Sequence, residues 1–188
     1  MIKQSRPPKG HSRGSKPTSQ RFATEAELHK RLLNRAGIFL SRRPYSRGEL
    51  AAVLLKVAGP DSVEPVLNRL EQLKLLNDPE YAYNFAFNQL KFKGWGPARV
   101  HQNLLLRKVP PGLAESTMNS IRAELSDREV LEGYLEKHCR RKGLPVDSKG
   151  IAGLVSHLSR RGFLEETILQ TLRPKVPPAV WERFETGE

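Results

Sequence analysis

The stretch LSRRPYSRGELAAVLL, residues 40–55, returns in pattern as LSRRGFLEETILQTLR at 158–173. Laid over the middle of the chain fifty residues further on, it finds a third, diverged copy, LKFKGWGPARVHQNLL, at 90–105. Leu40, Leu90 and Leu158 align, as do Tyr45, Trp95 and Phe163. So do two apolar triplets, Leu50 with Val100 and Ile168, and Leu54 with Leu104 and Leu172. Between leucine and aromatic, each copy holds two basic residues and a residue that ends a helix: Arg42, Arg43 and Pro44; Lys91, Lys93 and Gly94; Arg160, Arg161 and Gly162. Each copy reads as a corner. The leucine closes the apolar stripe of one helix, cations near its C-terminus complement the dipole and the last carbonyls, and Pro or Gly turns the chain. The aromatic then anchors the turn before the next helix begins. Three such corners mark a repeated structural unit.

Outward from the corners, the signals are helical throughout. Thr24 with Glu27 forms a capping box ahead of Leu28, Leu32, Leu33, Ala36 and Phe39, a stripe reaching to about Arg42. Ser46 with Glu49 opens a helix carrying Leu50, Val53, Leu54 and Val57; Gly59-Pro60 breaks it, and Asp61 with Glu64 starts another bearing Val63, Val66, Leu67, Leu70 and Leu73. Asp78 as N-cap with Pro79 behind it starts a helix through Phe85, Ala86 and Leu90. Pro97 starts the next, and a weaker one follows Pro110-Pro111 with Leu113, Met118, Ile121 and Leu125. Ser126 with Glu129 caps a helix that Gly143 and Pro145 stop, and three more follow at about 148–161, 165–173 and around Trp181. These are ten expected helices and no strand. Each has one apolar stripe and is too short to persist alone, so its neighbours must bury it.

The interval from the second corner to the third exceeds that from the first to the second by about one helix, which the segment near 127–142 supplies. The expected organisation is therefore a basic tail at 1–21, three-helix units at 22–76, 77–125 and 147–188, and a connecting helix within 126–146. The tail is rich in Pro, Gly, Ser, Lys and Arg and has too few apolar side chains to repay the entropy of ordering.

Charge bears on partners. The 188 residues carry a net +12; five cations and no acid fall in the first twenty, which leaves +7 for the rest. An excess that persists in the folded part points to a polyanionic partner, either nucleic acid or an acidic protein surface. Cys139 is the only cysteine, which excludes an intramolecular disulfide or a multi-cysteine zinc site and fits a reducing cytoplasm. No apolar h-region and no membrane-spanning run occurs, so the reading is a cytoplasmic protein with no membrane partner.

LLNDPEYAYNFAFNQLKFKGWGPARVHQNLLLRKV (75–109), with HLSRRGFLEETILQTL (157–172) and LSRRPYSRGEL (40–50), resembles the RecX family of bacterial recombination regulators. The likeness lies in an Asp-x-x-aromatic-Ala helix, a Lys-Gly-x-Gly-Pro corner and an Arg-Arg-Gly-Phe segment, and it covers about Arg31 to Leu172. The family often has Gly-Ile where this chain has Lys108-Val109. The resemblance implies an elongated, curved all-α array of three tandem three-helix repeats. It also implies a protein that binds the RecA recombinase, lodges in the groove of its filament on DNA, and restrains ATP hydrolysis, strand exchange and co-protease activity; the chain is expected to be a monomer.

The residues themselves also argue against an enzyme. His11, His29, His101, His138 and His157 lack metal-ligand spacing, and His138 and Cys139, being adjacent, cannot share a helix face. No nucleophile elbow occurs, and Gly10, Gly14 and Lys16 do not make a phosphate loop, since no lysine directly follows a glycine there and no strand precedes them. No cofactor is expected. The candidate partner-binding residues are Arg42, Arg43, Lys91, Lys93, Trp95, Arg99, Arg107, Lys108, Arg160 and Arg161, facing RecA and, through the basic surface, DNA phosphates. The alternative is a direct DNA-binding protein whose GWGPARVHQNLLLRK corner acts as a helix-turn-helix, with Arg99, Gln102, Asn103 and Arg107 as readers.

Overall fold

The computed structural model of the chain describes residues 18–187, with side chains from Thr24 onward. Most of the expected basic tail lies outside the described residues. Ten α-helices and no strand occur among those described: α1 (Thr18–Leu40), α2 (Arg47–Leu54), α3 (Pro60–Gln72), α4 (Asp78–Lys91), α5 (Pro97–Leu106), α6 (Pro111–Glu124), α7 (Asp127–Lys142), α8 (Ser148–Arg160), α9 (Glu165–Leu172) and α10 (Pro178–Thr186). A single 3₁₀ turn, Arg173–Lys175, links the last two. None of these helices is long and apolar enough to cross a membrane.

Start signals explain most boundaries. Ser126 accepts from the Glu129 N–H while the Glu129 carboxylate accepts from the Ser126 N–H, a complete capping box at α7. Proline occupies the first turn of α3, α4, α5, α6 and α10, where its missing N–H costs nothing. Three expectations differ from the structure. Thr24 is not a cap, because α1 begins at Thr18 and runs through it, which also puts the expected tail boundary at 21 inside the helix. Asn77 rather than Asp78 caps α4, its side chain accepting from the Glu80 N–H. Gly59, not Asp61, precedes α3, since Pro60 already has helical geometry.

The aligned triplets lie at the centres of the core. Leu50, Val100, Ile168, Leu54, Leu104 and Leu172 are all fully buried, each contributing about 1.5–3 kcal/mol relative to an exposed side chain. Val57 and Leu73, read as core, are 51% and 48% exposed. The reason is local: α2 ends at Leu54 and α3 at Gln72, so both residues lie past the end of their stripe.

Helices α1, α2 and α3 pack on one another; α4, α5 and α6 do likewise; α8 packs on α9 and α10; and α7 bridges α4 and α9. Buried side chains fall into two clusters. One runs from Leu32 to Leu76 in α1–α3 and the segment after α3. The other is continuous from Ala82 in α4 to Trp181 in α10. The first three helices thus have a core of their own, while the rest of the chain shares a second.

Candidate functional site

Three corners and the end of α5 carry the candidate residues, and the structure divides the cations among them into two kinds. Arg42, Lys91, Lys93, Arg99, Lys108 and Arg160 are exposed. None of the six pairs with a carboxylate among the described residues. Lys91 lies 5.0 Å from the Phe87 ring centroid, and Arg99 lies 4.4 Å over half-buried Trp95, a cation on an aromatic face. Arg160 donates to Ser156 Oγ at 2.9 Å. Lys108 adopts a left-handed backbone (φ 58°) in the turn between α5 and α6. Its Cβ and carbonyl press on Gly48, where any added Cβ would come within 2.6 Å.

Exposed Arg43 and half-buried Arg107 and Arg161 are instead held by partners within the fold. Arg43 lies 3.6 Å over the Tyr45 ring and donates to Glu49 at 3.0 Å. Arg107 stands 3.5 Å from the same carboxylate, donates to the Tyr81 hydroxyl at 3.0 Å, and covers Phe85 at 4.5 Å. The Tyr81 hydroxyl in turn donates to Glu49 at 3.1 Å. Burial pushes the Glu49 carboxyl up, but the Arg43 hydrogen bond and the charges of Arg43 and Arg107 outweigh it and hold it below the usual carboxylate range. Here α2 and its preceding turn meet α4 and the end of α5. Ser46 Oγ bonds the Arg107 carbonyl, and Asp78 accepts from the Arg47 N–H at 2.6 Å. The two hydrophobic clusters therefore meet across a polar joint. A cleft of about 470 Å³ opens beside it, lined by Arg43, Tyr45, Tyr81, Phe85, Asn88 and Arg107 among others.

The second and third corners meet backbone to backbone. The Gly96 N–H donates to the Arg161 carbonyl at 2.8 Å, and the Ala98 N–H to the Gly162 carbonyl at 3.2 Å. Arg161 then donates from Nε to the Gly94 carbonyl at 2.9 Å and from its guanidinium to the Lys93 carbonyl at 2.5 Å, with its plane 4.2 Å from the Tyr134 ring centroid. A cation does satisfy carbonyls at the end of a helix, but across the joint: Arg161, following α8, serves the end of α4.

The Ser46-x-x-Glu49 spacing at the start of α2 predicts a capping box. Ser46 does accept from the Glu49 N–H, but the Glu49 carboxylate leaves the helix terminus for the two arginines and Tyr81. Tyr81 and Asp78 were not singled out as joint residues, and no local spacing marks them. No group of three or more His, Cys, Asp or Glu stands ready to hold a metal among the described residues.

No family model matches the chain. Among curated proteins it is 32% identical over 151 residues to the regulatory protein RecX of Prosthecochloris aestuarii, covering 76% of this chain and 92% of that one. It is 33% identical over 140 residues to the regulatory protein RecX of Pseudomonas fluorescens, covering 71% and 84%. The crystal structure of RecX from Lactobacillus salivarius superposes with a TM-score of 0.66 at 22% identity, over 79% of this chain and 98% of that one. A second crystal structure of a regulatory protein RecX gives 0.66 at 18% identity, over 86% and 80%. The identity to the first two, spread over most of each protein, together with this all-helical fold, establishes that the chain belongs to the RecX family of regulatory proteins.

Proposed function

We propose that the chain is a non-catalytic cytoplasmic regulator that binds, as a monomer, in the groove of RecA filaments on DNA and inhibits their recombinase, ATPase and co-protease activities. The observation that carries this reading is a set of exposed cations with no carboxylate partner among the described residues: Arg42, Lys91, Lys93, Arg99 and Arg160 at the three corners and Lys108 in the turn after α5, where even Arg99, seated on Trp95, keeps its charge uncompensated. A repeated array offering cations at intervals suits a repeated polyanionic partner, where each contact is weak and their number gives the affinity. Arg43, Arg107 and Arg161 serve this function indirectly, by fixing how neighbouring helices join.

Direct sequence reading of DNA is the weaker alternative. Of its four proposed readers, Arg107 is held by Glu49 and Tyr81, Asn103 donates to the Arg99 carbonyl at 2.8 Å, and Arg99 lies on Trp95. Only Gln102 is left to read a base edge.

The test is RecA ATPase on single-stranded DNA with the protein titrated in, using the full chain and a form lacking residues 1–21. Inhibition well below the concentration that coats the DNA supports filament regulation. Inhibition appearing only as the DNA saturates, with sequence preference in the absence of RecA, favours the alternative.

A further inference from the structure

Tyr134 and His138 on α7 meet His157 on α8. The Tyr134 hydroxyl lies 2.7 Å from His157 Nε2 and 3.4 Å from His138 Nδ1, and the two imidazoles stack at 5.4 Å between centroids, tilted by 30°. Arg161 closes the other face of Tyr134. These contacts leave Nε2 of His138 and Nδ1 of His157 outside the phenol's hydrogen bonds. Beside the imidazoles opens a pocket of about 280 Å³, walled by Lys142, three glycines (Gly143, Gly150, Gly153) and the apolar Leu144, Pro145 and Leu154. It has room for a tetrahedral anion, several times the ~30 Å³ share of a water molecule.

The charges around the pair are of one sign. Arg141 and Lys142 come from α7, Arg160 from α8, and Arg161 from the turn that follows it; burial first, then Lys142, Arg141 and Arg161, disfavour the imidazolium form of His138, and burial, then His138 itself, Arg161, Arg160 and Lys142, disfavour that of His157. Asp147, the carboxylate at the head of α8, is committed to the Gly150 N–H at 2.6 Å. The four cations around the imidazoles repel a metal ion and attract an anion, whose arrival would favour protonation of the two rings.

We propose that this pocket is a phosphoryl-oxyanion site in which His138, His157 and Lys142 hold the oxygens and the histidines take up protons as the anion binds. The shared chemistry is a phosphate oxygen, from a nucleic-acid backbone or from a free phosphate. Because the site belongs to the isolated protein, it goes beyond the filament reading, and a test without RecA can fail while that reading stands.

The test uses the full chain, with proton NMR of the histidine C2–H resonances and calorimetry, titrating pyrophosphate and, separately, an oligothymidylate. The expected result is that the His138 and His157 midpoints rise on saturation and that affinity falls from pH 6 to pH 8, by up to about tenfold per pH unit for each proton taken up. His138→Gln with His157→Gln should lose that pH dependence and bind at least about tenfold more weakly at pH 6, with the helical CD spectrum intact; Lys142→Glu should also bind more weakly. A response to the oligonucleotide alone assigns the phosphodiester, and a response to pyrophosphate alone assigns the free anion. Unmoved histidine midpoints with both ligands, or unchanged affinity and pH dependence in the double variant, would overturn the proposal.

Discussion

At the scale of the residue, arginines of one sequence pattern have opposite duties. Arg160 and Arg161 are adjacent members of a repeated basic pair, yet Arg160 is exposed while Arg161 binds two carbonyls of another corner. Truncating Arg161 leaves those carbonyls without their donor and removes the cover of Tyr134, so Arg161→Ala should cost about 1–3 kcal/mol. Arg160→Ala should stay within about 0.5 kcal/mol. Urea unfolding of the two variants checks this, and equal midpoints would contradict it. Glu49 makes a further prediction with a sign. Its carboxyl is held below the usual range in the folded state, so it contributes stability that is present above the unfolded pKa and lost as pH falls through the folded one. The stability gap between the native chain and Glu49→Gln should therefore be full at pH 7 and shrink towards pH 3. A gap that stays constant over that range would show that the carboxylate charge plays no part. None of these duties was legible in the sequence, because the partners of Arg161 and Arg107 lie dozens of residues away and no periodicity links them.

At the scale of the element, the corners are joined by glycines that admit no side chain. A Cβ on Gly96 would fall 2.1 Å from the Gly162 carbonyl carbon, and one on Gly162 would fall 2.5 Å from the Arg99 nitrogen, at a backbone φ of 94°. Both obstacles are backbone and cannot move aside. Gly96→Ala and Gly162→Ala should each destabilise by more than about 2 kcal/mol. Gly37→Ala, in open space on α1, should instead stabilise by up to about 1 kcal/mol. Thermal melts of the three variants decide it; a neutral Gly96→Ala would mean the corners are not in contact. The elements themselves were largely legible, since prolines, caps and apolar stripes are local signals. The Thr24 start failed because a capping box matches the pattern of any Thr-x-x-Glu, including one inside a longer helix. The His138–His157 pair was illegible for a different reason: its members belong to separate helices that only packing brings together.

At the scale of the whole molecule, the chain has two hydrophobic cores and a polar joint between them. Hydrogen bonds and ion pairs at such a joint are worth far less than a shared core, so α1–α3 is the part able to open separately. Glu49→Ala should weaken the coupling and separate unfolding into two steps, with amide exchange in 28–76 faster than in 81–184. A single coincident transition in that variant would show that the joint is not the weak seam. The all-helical fold was legible, and the aligned triplets are buried, as the three aligned corners predict. Which helices share a core was not, because every amphipathic stripe looks alike until its neighbour is known. The proposed engagement of the filament rests on exposed corner cations. The most direct measurement is RecA ATPase on single-stranded DNA with the Lys91→Glu, Lys93→Glu, Arg99→Glu triple variant beside the native chain, both checked by helical CD. We expect the variant to keep its helical spectrum and lose most of its inhibition; undiminished inhibition would contradict the account.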